Sequence, residues 1–288
     1  MKFTAVTAGL VGAASALSGS ATLFENGEQQ HDNHVERRIP TSYESAVMGR
    51  RILALTKLAT MSTVFPDDHD AAASERRPSG LGGQPIGLMD YIADCEDEGN
   101  PTILAIRIGT TFKNVRAGSN ITVSLQWTPP YPPAKRISFL SRLSAYIPFL
   151  GGGNREDCPY TRDLKDASLD VPDTAPYSAA NLPRFSLLGY LEPIDADEDE
   201  AARLATCYTS KHRDARYWLP GNRIHTSEWV RMVVTKVYWI GGFGDRAYIG
   251  WIPTDEWKSV TEEEWRGISL PGEKKGWSEW STDEAGEL

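Results

Sequence analysis

WVRMVVTKVYWI, residues 229–240, carries the strongest strand signal in the chain. It is built of β-branched and aromatic side chains, which fit a pleated surface. Alternate positions put Trp229, Val233, Val237 and Trp239 on one side and Val230, Met232, Val234 and Ile240 on the other. A strand that is apolar on both sides is covered on both, by closure of its sheet into a barrel or by helices. The glycines of GGFGD (residues 241–245) then read as a hairpin turn into a last strand at Arg246–Trp251.

Working outward, four more strands are legible: Leu58–Val64, stopped by Pro66, then Pro101–Gly109, Ile121–Trp127 and Arg184–Leu191. Thr110–Asn120 reads as a short helix or turn carrying Lys113 and Arg116. The spacing of Val47, Met48, Ile52 and Leu55 predicts a helix from Ser42, its N-cap. The acids Asp195, Asp197, Glu198, Asp199 and Glu200 suit the positive end of a second helix, running on towards Lys211. PTDEW, residues 253–257, opens a terminal helix with Thr254 as cap. Residues 66–85 are rich in Asp, Ser and Gly and read as loop. Residues 128–182 hold eight prolines and a triple glycine, which marks one long insertion. Strands interrupted by few helices give an α+β fold built around a β-barrel.

The chain has 288 residues, 40% of them hydrophobic and 24% charged, enough to bury a core. Its 30 basic residues against 39 acidic ones give a net charge of −9 and no field for a phosphate backbone, so nucleic acid is excluded as a partner. Ten acids and four bases lie between Asp255 and Leu288, so residues 259–288 read as a solvated acidic tail.

The first 20 residues, one lysine followed by apolar and small residues, read as a secretory signal peptide. They are too short to span a bilayer, and no later stretch is apolar enough, so no membrane span is expected. Residues 21–41 form a polar linker and residues 42–258 the folded domain. The destination is then outside the cell or the lumen of an endomembrane compartment or vacuole. There the sequon Asn120-Ile121-Thr122 is usable, and Asn120 is the expected glycosylation site. Three cysteines leave at least one thiol unpaired within the monomer. Cys95 and Cys158, both in polar segments, are the candidate pair, while Cys207 reads as a buried helical thiol.

No G-x-S-x-G, H-E-x-x-H, P-loop or G-x-G-x-x-G motif is present, and the histidines His31, His34, His69, His212 and His225 are scattered. No catalytic residue and no metal site are assigned.

The order of TILAIRIGTTFKNVRAGSNITVSLQW (102–127) and the closing RFSLLGYLEP (184–193) and WVRMVVTKVYWIGGFGDRAYIGWIPTDEW (229–257) resembles the CREG-like (cellular-repressor) secreted glycoproteins. These belong to the split-barrel flavin-binding superfamily that includes pyridoxamine 5′-phosphate oxidase. The resemblance implies a six-stranded antiparallel split β-barrel with flanking helices, a homodimer, and a protein receptor as a further partner. In the oxidases a Ser-Arg-Lys grip after an early strand holds the phosphate of flavin mononucleotide (FMN). Counted back from Asn120, that grip falls on Thr111, Phe112 and Lys113, with Arg116 nearby. Phe112 replaces the guanidinium that suits phosphate best, so Thr111, Lys113 and Arg116 are a vestigial FMN site. The resemblance thus implies a binding or signalling protein without cofactor. The alternative is an FMN-dependent oxidoreductase, with the insertion as obstruction in the first case or substrate lid in the second.

Overall fold

The computed structural model describes residues 38–67, 77–133, 179–222 and 224–277. The proposed leader, Cys158 and most of the linker and insertion lie outside these residues.

Helix α1 (Ser42–Leu55) opens on a capping box: Thr41, not Ser42, caps Glu44 N–H, and the Glu44 carboxylate accepts from Thr41 N–H. The chain continues through β1 (Leu58–Val64), β2 (Pro85–Tyr91), β3 (Thr102–Ile106), α2 (Thr110–Arg116) and β4 (Ile121–Gln126). After the insertion come β5 (Arg184–Pro193), α3 (Glu198–Lys211), β6 (Ser227–Ile240), β7 (Ile249–Ile252), α4 (Thr254–Ser259) and α5 (Glu262–Gly267). Thr254 caps nothing; its hydroxyl donates to Thr235 O and ties α4 to β6.

The strands form one antiparallel sheet in the order β2-β1-β4-β5-β6-β3, with β7 also paired to β6. The α+β split barrel is therefore correct, but among the described residues it has seven strands, and its edges meet there only at a single bridge, Ala93–Thr102. Closure by a continuous ladder does not occur. The added strand, PIGLMDY, belongs to the segment after Pro66 that reads as loop up to Pro85; it is an exposed edge strand that tolerates Pro85 and Gly87.

The double-sided apolar pattern of β6 has two causes. Opposite Leu188 and Gly189 the register slips by one residue at Thr235. This β-bulge moves the inward set from Met232 and Val234 to Val237 and Trp239. Gly189 permits the slip, since a Cβ there would stand 1.8 Å from Val233 O. Before the bulge, Trp229 faces the other way and is buried under α3 against Tyr208. The main core packs Ile52 and Leu53 of α1 onto Met61, Val123, Leu187, Val237 and Trp239.

Two expectations are corrected. Cys95 is bonded to Cys207, with Cα atoms 5.9 Å apart, and not to Cys158. The cause is the return of α3 over the loop after β2, where Arg203 also donates to Cys95 O. Nor is the stretch after Ser259 a solvated tail as far as Trp277. Trp265 on α5 is 8% exposed, Tyr43 donates to Glu264, Arg51 pairs with Glu273, and Trp127 Nε1 donates to Pro271 O. Among the described residues no helix is long and apolar enough to cross a membrane.

Candidate functional site

The residues expected to hold a phosphate lie on α2, beneath the barrel end near Val64. Asn114 Nδ2 donates to the inward-facing Thr63 Oγ1 at 3.0 Å, which seats the helix. Thr111 is buried, and Phe112, 4% exposed, belongs to the main core. Arg116 donates to Arg107 O, so its guanidinium serves the local turn. Lys113 is half-buried, and its ammonium has no hydrogen-bonding or ionic partner among the described residues. The structure thus brings Thr111, Lys113 and Arg116 onto one short helix but leaves Lys113 alone to meet a ligand. These residues do not fit a flavin phosphate, which is best held by several convergent donors and a bidentate arginine.

The outward side of the sheet presents a different surface. Met89, Thr60, Ser124, Ser186, Tyr238 and Trp251 are successive partners across β2, β1, β4, β5, β6 and β7 and form a single row. Thr60, Ser124 and Ser186 make its centre hydroxylic, and the two serine Oγ atoms lie 2.9 Å apart. The ends are apolar: Met89 is 67% exposed, and Trp251, 54% exposed, packs on Tyr238 with ring centroids 5.0 Å apart. A concavity of about 460 Å³ overlies the row from Met89 to Tyr238, and the next row adds Gln126, Arg184 and Ile240 to its lining. The lining has no histidine, carboxylate or lysine among the described residues, so neither serine has a base to activate it as a nucleophile. The surface can bind.

This row was not legible beforehand, because a single sequence does not give the register that aligns six strands. Alternation alone marks Thr60, Ser124 and Ser186 as outward. Asn120 is exposed, between α2 and β4, while Ile121 and Thr122 of its sequon belong to β4. His212 is buried, with Nε2 bonded to Ile92 O and its ring stacked on Tyr91 at 4.4 Å. Among the described residues no group of His, Cys, Asp and Glu could hold a metal.

The sequence profile of the family described as CREG, beta-barrel matches residues 40–259. No curated protein matches the chain. Among solved structures, a heme binding protein from Mycobacterium smegmatis is 12% identical, with a TM-score of 0.44 over 77% of this chain and 62% of that one. A protein of unknown function from Agrobacterium tumefaciens is 17% identical, with a TM-score of 0.39 over 73% and 63%. The FAD and heme binding protein from Mycobacterium smegmatis is 14% identical, with a TM-score of 0.35 over 86% and 80%. The chain spans less than two thirds of the first two.

Proposed function

This chain belongs to the CREG β-barrel family, and from that premise we propose that it is a non-enzymatic glycoprotein of the secretory route, acting by binding and signalling as a homodimer. The observation that carries the reading is the outward row from Met89 to Trp251, exposed and apolar at both ends and without a histidine, carboxylate or lysine in its lining among the described residues. Exposed apolar surface of this kind marks an association site, and an isologous dimer is the commonest way to cover one. A protein receptor would then engage the dimer elsewhere. The leader-like N-terminus, the exposed Asn120 and the Cys95–Cys207 disulfide support the lumenal or extracellular setting, since disulfides persist in oxidising compartments.

The test is purification of the secreted chain, light scattering for mass, and absorbance before and after incubation with FMN. A colourless dimer that stays colourless supports the proposal, and a monomer or a yellow protein defeats it. Enzymatic removal of N-glycans from wild type, but not from Asn120→Gln, should change gel mobility. One observation favours a second reading, an FMN-dependent oxidoreductase: Lys113 is a cation with no partner among the described residues. That reading requires saturable FMN binding that Lys113→Met abolishes.

A further inference from the structure

Arg50, Asp94 and Lys211 come from α1, the loop after β2 and the end of α3, and all three carry charge out of contact with solvent. The Asp94 side chain is 3% exposed, and its nearest cation atom, Arg50 Nη2, is 3.6 Å away, beyond hydrogen-bonding distance. Arg50 spends its donors elsewhere: Nη1 on Trp257 O and Val260 O at 3.2 Å each, and Nη2 on Asp97 O at 2.6 Å. Lys211 Nζ is buried and makes no hydrogen bond, and neither do the two carboxylate oxygens of Asp94.

A buried carboxylate in this position gains Coulomb attraction from two cations but no hydrogen bond. Desolvation of an ion costs more than attraction alone returns unless the geometry is good. We propose that Asp94 is the proton-labile member of a buried Arg50–Asp94–Lys211 cluster, which makes the joint between α1, the Asp94–Asn100 loop and α3 firmer in acid than at neutral pH.

The groups that face the cluster pull in opposite directions, and burial decides. The charge of Asp97, in the same loop, disfavours ionised Asp94, while Arg50, Lys211 and the Asp97 backbone favour it without overcoming burial. Glu98 faces Arg50, Lys57 and His212 lie near Lys211, and Glu96 is taken by Arg231. The α4 segment contributes the two carbonyls and the Trp257 ring, whose centroid lies 6.0 Å from the Arg50 guanidinium carbon. Burial pushes the Asp94 carboxyl up from 3.8 to about 6 and pushes the Lys211 ammonium down. A raised carboxyl means the fold prefers the protonated form. Its contribution is complete below 3.8 and is lost as pH rises through about 6. Nothing in this depends on the compartment, although an acidified lumen is where such a joint would matter.

The experiment compares thermal melts of the full chain and Asp94→Asn, and follows Asp94 in the wild type by carboxyl carbon NMR. The amide mimics the protonated acid, so the variant should melt a few degrees above wild type near pH 7.5 and level with it only below 3.8, the gap growing by about one decade of stability per pH unit between the two pKa values. The carboxyl should titrate near 6, and Lys211→Met should move that midpoint upward by removing a cation. A variant that melts below wild type near pH 7.5, no pH-dependent difference, or a midpoint below about 4 overturns the proposal. If Asp94→Asn does not fold, the wild-type titration decides by itself.

Discussion

Cys95 and Cys207 are joined across 112 residues, so the loop after β2 and helix α3 are one covalent unit although the insertion and three strands separate them in sequence. Cross-linking so long a loop removes conformational freedom from the unfolded chain, typically worth about 2–4 kcal/mol. Cys207→Ser should therefore lower the denaturant midpoint by the equivalent of about 2–4 kcal/mol. Thiol titration of the unfolded, unreduced monomer checks that one disulfide forms, and peptide mapping for a Cys95–Cys207 cross-link checks the pairing. One reactive thiol is expected from three cysteines, and three would show that the bond does not form.

Trp265 gives the stretch beyond Ser259 a structural role. It is buried against the core beside Arg51, whose guanidinium lies 5.9 Å from its ring centroid. Replacing it with alanine should cost about 3–5 kcal/mol, the usual range for a buried large aromatic. Truncation before Glu262 should lower the melting temperature at least as far, because it also removes the Arg51–Glu273 pair and the acceptor of Trp127 Nε1. A truncated chain that melts with wild type would return this stretch to the solvated tail that its charge alone suggests.

Much of the scaffold was legible because it rests on local chemistry. Leu58–Val64 is β1 as read, and the acidic residues before α3 sit at its first turn, with Asp197 as the cap. What escaped depends on partners distant in sequence. PIGLMDY lacks alternation because β2 has one paired edge and little burial. The two apolar sides of β6 arise from a slip at Thr235, which no periodicity in β6 announces. On α2, Phe112, read as the residue that spoils a phosphate grip, is a buried core side chain. The sequence held no sign that Arg116 is committed to Arg107 O. Cys207 was assigned to burial because helices conceal apolar thiols, and only the course of α3 brings it to Cys95.

Gly189 makes the slip in β6 testable. A methyl group there would collide with Val233 O, and backbone on both strands cannot yield as a flexible side chain can. Gly189→Ala should destabilise by about 3 kcal/mol, the upper end of overpacking costs, with proton NMR shifts spreading along β5 and β6. Gly267→Ala is the control. No atom lies within 4 Å of its added Cβ, so it should melt within a degree or two of wild type.

Met89 and Trp251 stand at opposite ends of the outward row, too exposed to stabilise the monomer much and well placed to stabilise an assembly. In a two-fold arrangement each apolar end has the same surface available on the second copy, and the hydroxyl-lined centre excludes neither a bridging water nor a direct contact. Charges buried there without partners would be costly, whereas on the free monomer they remain hydrated. Met89→Glu with Trp251→Glu should therefore weaken dimerisation by at least about 2 kcal/mol, roughly thirtyfold in Kd, while the melting temperature of the dilute monomer changes little. Sedimentation equilibrium across a concentration series separates the two effects. A double variant that still dimerises like wild type would place the interface elsewhere and leave the outward row as a surface for another partner.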